Sequence, residues 1–216
     1  MAAPGPKSSE LSPAKRQQIL RGAKALFREV GYERASVDAI AAKAGVSKAT
    51  IYNHFGSKEA LFFSAHSAET EALRETFHGL LEAPTGDIES DLHQIGAELL
   101  RLVCSPSNVL RHRVAVGEAG RFPELGQALY DCGLRAGRER MTHFFERARA
   151  QGLLEIDDPA DAAVDFTALC LGDLFKELQL AVREEVSART IEENVRRGVR
   201  TFLRAYPLVS RAQRIP

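Results

Sequence analysis

The residues best suited to chemistry form a run of small polar, basic and aromatic side chains between residues 47 and 58. Hydroxyl groups hydrogen-bond phosphate oxygens, and a lysine ammonium adds charge-assisted contacts to them. Lysine also donates to guanine, and the methyl groups of alanine and threonine can contact the thymine methyl. We therefore predict a surface that binds DNA. Its candidate residues are Ser47, Lys48, Ala49, Thr50, Tyr52, Asn53, His54 and Lys58.

The serines and glycines around this run predict two short helices joined by a tight turn. Ser36 and Ser47 stand where helix N-caps are expected, and Gly45 tolerates the positive φ that a sharp reversal needs. This pattern is typical of a helix-turn-helix, whose second helix enters the major groove with its N-terminal residues at the base edges. The alternative interpretation is a plain solvated helix, with Tyr52 partly buried and His54 merely exposed.

The charge distribution supports a DNA-binding segment only when the chain is divided. The whole chain has 29 basic and 29 acidic residues, and a net charge of zero argues against a nucleic-acid partner. Residues 1–60, however, hold ten lysines and arginines against five acidic residues and so carry +5, while residues 61–216 carry −5. We infer a basic module followed by an acidic module with a different partner.

Residues 15–63 resemble the N-terminal signature of the TetR family of bacterial transcriptional regulators. The matching elements include Gly31-Tyr32, Ala44-Gly45-Val46-Ser47, Thr50-Ile51-Tyr52, His54-Phe55 and Ser57-Lys58-Glu59. A looser resemblance, over residues 110–180, relates the segments GEAGRFPELGQALYDCG and QGLLEIDDPADAAVDF to the C-terminal domain of the AcrR/AefR-like branch.

The resemblance implies a role for each candidate DNA-binding position. It implies a phosphate contact at Ser36 and positions facing the major groove at residues 48–50. It implies contacts to the DNA backbone from Tyr52, His54 and Lys58. It also implies a larger C-terminal domain that binds a ligand and forms a dimer.

Apolar residues recur at helical spacing along the whole chain, and serine, glycine and proline stand at the expected helix ends. We predict an all-α fold, with a three-helix helix-turn-helix domain and a larger C-terminal helical domain for ligand binding and dimerisation. One continuous helix is expected from Ser57 to about Leu81, and others near 87–104, 107–119, 122–151, 158–182 and 187–205. The predicted division is a disordered tail at 1–11, a DNA-binding domain at 12–60, a ligand-binding and dimerisation domain at 61–206, and a tail at 207–216.

Bundle interiors are places where ligand cavities form, so apolar residues of the second domain are the candidates for a ligand site. With one acidic residue, they are Phe62, Phe77, Leu99, Leu102, Val103, Val114, Glu118, Phe144, Phe166 and Leu169. For each of them a place in the plain core is the alternative. The apolar stripes of the last two predicted helices are the candidate dimer interface, with burial inside one subunit as the alternative. They contain Leu171, Leu174, Phe175, Leu178, Val195, Val199 and Phe202.

The sequence offers little to an enzyme or a metalloprotein. The six histidines lack the spacing of a metal site, and the three cysteines are far apart, which suits the reducing cytoplasm. No apolar stretch approaches the roughly 18 residues of a membrane span. We expect no cofactor and no membrane contact. The predicted function is a homodimeric repressor that a small apolar or amphipathic effector releases from a pseudo-palindromic operator. An activator, a ligand-independent DNA-binding protein and a small all-α enzyme are the alternatives.

Overall fold

The computed structural model describes residues 13–67 and 70–209. The predicted tail at 1–11 and most of the one at 207–216 lie outside the described residues. Within these ranges every regular element is helical, apart from an isolated antiparallel bridge between Leu154 and Leu208. The prediction of an all-α fold is therefore confirmed.

The described part of the chain contains twelve α-helices and one π-helical turn at Tyr130–Arg135, between α8 and α9. The α-helices are α1 (Pro13–Arg34), α2 (Val37–Lys43), α3 (Lys48–Phe55), α4 (Lys58–Ser67), α5 (Glu71–Leu80), α6 (Ile88–Val103), α7 (Pro106–Glu118), α8 (Pro123–Leu129), α9 (Ala136–Ala150), α10 (Pro159–Leu171), α11 (Leu174–Gln179) and α12 (Ala188–Ala205). Ser105 caps α7 and Asp158 caps α10, and in both helices proline follows at the first position, where its missing N–H costs nothing.

Two hydrophobic cores hold these helices together. The N-terminal core is formed by buried residues of α1–α4, together with Ala115 of α7 and Leu125 and Leu129 of α8. The C-terminal core is formed mainly by α5, α6, α9, α10 and α12. Its centre is aromatic, since the rings of Phe145, Phe166 and Phe202 are in mutual contact at centroid distances of 5.2–5.9 Å.

The segment expected to form one helix from Ser57 to about Leu81 contains two, α4 and α5, so that prediction was wrong. The two helices serve different cores: Phe62 of α4 is buried in the N-terminal core, and Phe77 of α5 in the C-terminal core. The sequence pattern did not reveal this, because apolar residues at helical spacing continue through both helices whichever core they join.

Other predicted boundaries also shift. Gly31 (φ 80°) has a non-helical backbone conformation within α1, but the helix continues beyond it and ends at Arg34. Residues 122–151 contain α8, the π-helical turn and α9. Residues 158–182 are divided by Gly172, whose φ of 50° ends α10.

Gly198 allows α10 and α12 to cross at very short distance. A Cβ atom at this position would stand 2.9 Å from the carbonyl oxygen of Leu169 and 3.0 Å from the backbone nitrogen of Cys170. Because both atoms belong to the backbone of α10, neither can rotate away. The two last long helices therefore pack with their backbones almost in contact.

Candidate nucleic-acid interface

Side-chain caps define the two helices of the helix-turn-helix. The hydroxyl of Ser36 accepts a hydrogen bond from the backbone N–H of Ala39 at 3.1 Å at the start of α2. The hydroxyl of Ser47 accepts one from the N–H of Thr50, also at 3.1 Å, and lies 2.8 Å from the Thr50 hydroxyl. Gly45 has a φ of 58° in the turn between the two helices. The local sequence therefore folds as the spacing predicted.

Helix α1 holds this turn from behind. The amide of Gln18 donates to the carbonyl oxygen of Ala44 at 2.8 Å. Gly22 faces Ala44 so closely that a Cβ on it would stand 3.3 Å from the Ala44 side chain. Ile51 and Phe55 bury the inner face of α3 in the N-terminal core. With its inner face fixed, α3 presents its outer face to solvent in one orientation.

The outer face of α3 carries the predicted DNA-binding residues. Thr50 is half-buried, and Tyr52 is 42% exposed, which places its ring on the surface. The exposed residues of this group are Ser36, Ser47, Lys48, Ala49, Tyr52, Asn53 and His54. The structure thus leaves these side chains exposed to solvent on and beside α3, while their contacts to DNA remain predictions.

Lys48 is held on this surface by an ion pair. Its Nζ lies 2.9 Å from Oδ2 of Asp38 on α2, and both side chains are more than half exposed. The hydrogen bond and the charge of Asp38 raise the pKa of Lys48. An exposed pair of this kind contributes little to stability, so its ammonium can exchange Asp38 for another anion at low cost.

Lys58 stands apart from the other candidates. It is half-buried at the start of α4, where Nζ donates to the carbonyl oxygen of Glu33 at 3.2 Å and lies 4.3 Å from the ring centre of Tyr32. Burial lowers the pKa of Lys58. Its ammonium is therefore engaged with the protein, and a phosphate contact would require it to leave these partners.

Sequence reasoning missed a cluster around Tyr32 that joins the helix-turn-helix to the rest of the molecule. The hydroxyl of Tyr32 donates to Oε1 of Glu59 at 2.5 Å, and burial raises the pKa of Tyr32. Its ring packs edge-on against Phe122, just before α8, at a centroid distance of 5.8 Å. Arg121 forms an ion pair with Glu33. The sequence feature that could have indicated this cluster is Phe122, an aromatic residue directly before Pro123, which begins α8.

The predicted ligand-binding residues do not form a single lining. Phe62 lies inside the N-terminal core and Val114 packs on its edge, whereas Glu118 is partly exposed on α7. The others belong to the C-terminal core or pack against it, as buried or partly buried side chains: Phe77, Leu99, Leu102, Val103, Phe144, Phe166 and Leu169. The structure therefore assigns them to two separate groups.

Two pockets lie elsewhere on the C-terminal helices. One, of about 260 Å³, is lined by His78, Leu81, Glu82, Arg140, His143 and Arg147. The other, of about 420 Å³, is lined by His93, Ala97, Arg101, Ala188, Ile191, Glu192 and Val195. Neither lining includes a predicted ligand-binding residue, and each combines charged or imidazole side chains with apolar ones.

The predicted dimer residues differ in how much exposed surface they have for contact with a second copy of the chain. Val195, Val199 and Phe202 are at most 2% exposed in the core of the single chain, which leaves them almost no surface for a partner. Leu174 and Leu178 are also buried. Leu171 and Phe175 keep partial exposure, and the Phe175 ring contacts the His112 imidazole edge-on at 4.8 Å.

Within residues 13–67 and 70–209, no group of three or more His, Cys, Asp or Glu side chains is placed to hold a metal ion. No helix in these ranges is both long and apolar enough to cross a membrane.

Known protein families match both parts of the chain. Residues 19–65 match the family of bacterial regulatory proteins named after tetR, and residues 90–207 match the C-terminal domain of AefR-like transcriptional repressors. The HTH-type transcriptional repressor AcnR of Corynebacterium efficiens is 40% identical over 76 residues, covering 34% of this chain and 40% of AcnR. Rv1474c of Mycobacterium tuberculosis, also a repressor, is 42% identical over 60 residues, covering 28% of this chain and 32% of Rv1474c. The chain thus spans less than half the length of these curated relatives.

Solved structures match over almost the whole chain. The flavonoid-responsive regulator FrrA is 35% identical, with a TM-score of 0.73 over 90% of this chain and 98% of FrrA. A TetR-family regulator from Mesorhizobium loti is 27% identical, with the same TM-score over 89% of this chain and 96% of that protein. From the helix-turn-helix geometry, the two family matches and the likeness to FrrA together, it follows that the chain belongs to the TetR family of transcriptional regulators and carries an AefR-like C-terminal domain.

Proposed function

We propose that this chain is a cytoplasmic, homodimeric repressor that binds a pseudo-palindromic operator and leaves it when a small apolar or amphipathic effector binds. The observation that carries the proposal is the outer face of α3, where exposed polar and basic side chains stand on a helix fixed by two serine caps and by α1. A helix held in this way can enter a major groove without reorganising.

The contacts to DNA follow from the positions of these side chains. Lys48, Ala49 and Thr50 occupy the first turn of α3 and would face base edges. Ser36 and Ser47 stand at helix N-termini, where exposed N–H groups and the helix dipole favour a phosphate. When α3 meets DNA, Lys48 would exchange Asp38 for an acceptor on the DNA.

Response to an effector requires contact between the two parts of the chain, and the cluster around Tyr32 provides it. Phe122 and Arg121 reach from the connection between α7 and α8 to Tyr32 and Glu33. A rearrangement of α7 and α8 would therefore move the helix-turn-helix. Couplings of about 1–3 kcal/mol are typical of allosteric proteins and are enough to change operator occupancy several-fold. The flavonoid response named for FrrA supports a small-molecule effector here.

Dimerisation would place the two α3 helices in successive major grooves. The apolar residues of the last helices that keep exposed surface include Val164 on α10, Leu171 at its end and Phe175 on α11. A contact of this kind uses the same patch on both copies, which gives the two-fold symmetry that a pseudo-palindromic operator mirrors.

Selection of bound sequences from random duplex DNA tests the proposal. We expect an enriched sequence with two inverted half-sites. Lys48→Ala and Thr50→Ala should each change the preference at one half-site position by about 1–3 kcal/mol. Lys176→Ala, which removes an exposed lysine of α11 outside the helix-turn-helix, is the matched control and should bind as the parent chain does. The absence of any enriched sequence, or equal effects of all three substitutions, would refute the proposal.

A further inference from the structure

Arg111, on α7, is a buried positive charge that forms no ion pair with an acidic side chain among residues 13–67 and 70–209. The residue is only 4% exposed. Its Nη2 donates to Oδ1 of Asn108 at 2.7 Å, while its Nε, also buried, has no hydrogen-bond partner within residues 13–67 and 70–209. The negative charge of Glu71 favours the charged form of Arg111. The Glu71 carboxylate, however, forms its ion pair with Arg74, at 3.6 Å.

The surroundings of Arg111 are partly apolar and partly polar. Its guanidinium carbon lies 6.0 Å from the ring centre of Phe63 on α4. Ser107 and Asn108, on the same helix, are also buried. Burial lowers the pKa of Arg111, and the charge of Arg74 lowers it further. A guanidinium nevertheless keeps its proton inside proteins, so the charge remains.

A buried charge of this kind is costly to the folded state. Moving a charge from water into the protein interior without a partner raises the free energy of the folded state, whereas burying an apolar side chain of similar length does not. Packing alone would be served better by methionine or leucine at this position. A bound anion would supply the counter-charge that is missing among the described residues. It would also accept a hydrogen bond from the Nε–H group, which has no partner among them.

We infer that Arg111 anchors an acidic effector, a small amphipathic organic acid whose carboxylate is bound by the guanidinium and whose apolar part contacts Phe63. The inference rests on the proposed function and specifies the chemical class of its effector. The guanidinium binds carboxylate oxygens through charge-assisted hydrogen bonds, for which Nε–H is available. Asn108 is a positioning residue, because its side chain accepts from Arg111 while donating to the carbonyl oxygen of Val103 at 2.9 Å.

The place of Arg111 in the fold connects such an acid to the DNA-binding surface. Phe63 belongs to α4, whose first residue, Lys58, contacts Tyr32. Helix α7 ends at Glu118, just before the Arg121 and Phe122 contacts to the helix-turn-helix. An acid inserted between α4 and α7 would therefore displace both connections to the helix-turn-helix.

Binding of matched acids and amides to the full chain tests the inference. The probes are benzoate, 2-naphthoate and decanoate, each paired with its neutral amide, in isothermal titration calorimetry without DNA. We expect at least one acid to bind ten-fold or more tightly than its amide. Arg111→Met should reduce that ratio to below three. Arg138→Met, which makes the same change at an exposed arginine of α9, should retain it.

Melting temperatures of the variants distinguish a lost binding site from a chain that no longer folds. Arg111→Met is expected to melt at no lower a temperature than the parent chain, since it removes an unpaired buried charge. Arg111→Gln, which removes the charge but keeps a polar group near Asn108, should also lose the preference for acids. If no acid is preferred, if either folded variant keeps the preference, or if both variants unfold, Arg111 is not an effector anchor. Selection of operator DNA by the parent chain is an independent measurement, so failure of this inference and failure of the proposed function are distinguishable.

Discussion

Replacing Tyr32 by phenylalanine removes one hydroxyl group at the point where the helix-turn-helix meets α4. Tyr32 is 4% exposed, and its hydroxyl donates to Glu59 at 2.5 Å. The ring stacks on Phe27 and packs edge-on against Phe62, and phenylalanine can keep both contacts. The substitution therefore isolates the hydrogen bond from the packing of the ring.

The expected loss of stability follows from the surroundings of that bond. A hydrogen bond to a charged group contributes about 1.5–3 kcal/mol. Glu59 is only partly buried, so its carboxylate can regain water in the variant, and we expect a loss of about 1–2 kcal/mol. Tyr206→Phe is the matched control, because its hydroxyl donates to the exposed carboxylate of Asp165 at 2.7 Å. That bond faces solvent, and its loss should cost less than about 1 kcal/mol.

The loss should also depend on pH. Burial alone would raise the pKa of Glu59, but hydrogen bonds from Tyr32, from its own backbone N–H and from Ser57 hold it below the ordinary value of 4.5. A carboxyl group with a lowered folded-state pKa contributes stability that is present above its unfolded pKa and is lost as the pH falls through the folded one. The difference between the parent chain and Tyr32→Phe should therefore be full at pH 7 and shrink well below pH 4.5.

Urea denaturation of the parent chain and both variants at a series of pH values measures these free energies of unfolding. The reasoning is refuted if Tyr32→Phe costs no more than Tyr206→Phe at pH 7. It is also refuted if the cost of Tyr32→Phe stays constant as the solution is acidified. Either result would mean that the contact with Glu59 does not stabilise this junction.

Two further perturbations address the DNA-binding face and the crossing of the last helices. Asp38→Asn removes the partner of Lys48 and a negative charge beside α3, so DNA of any sequence should bind more tightly, most of all at low salt. Fluorescence anisotropy at two salt concentrations measures this, and unchanged affinity would mean that the ion pair does not restrain Lys48. Gly198→Ala places a methyl group 2.9 Å from the carbonyl oxygen of Leu169 and should cost about 1–3 kcal/mol. Gly117→Ala on α7, where no atom of another described segment lies within 4 Å of the added carbon, should gain about 0.5–1 kcal/mol. Thermal denaturation that ranks the two variants equally would contradict the packing.

The helix-turn-helix was predictable from sequence because its determinants are local. Ser36 and Ser47 cap helices through N–H groups three residues away, and Gly45 sets the turn through its own φ. The inward residues Ile51 and Phe55 recur at helical spacing, which leaves the polar residues between them on the outer face. Sequence alone therefore determined the all-α class, the turn and the surface of α3.

Only the tertiary structure decided how distant segments share their cores. The pattern of apolar residues did not show that α4 and α5 pack into different cores, or that Val195 and Phe202 are buried within a single chain. An apolar stripe on a helix has the same periodicity whatever segment covers it. Arg111 looked like an ordinary polar residue of a helix, because its cost arises only when Phe63 and other helices exclude water from it. Burial is a property of the assembled molecule, so the sequence located the candidate DNA-binding surface, whereas the buried charge of Arg111 became visible only in the fold.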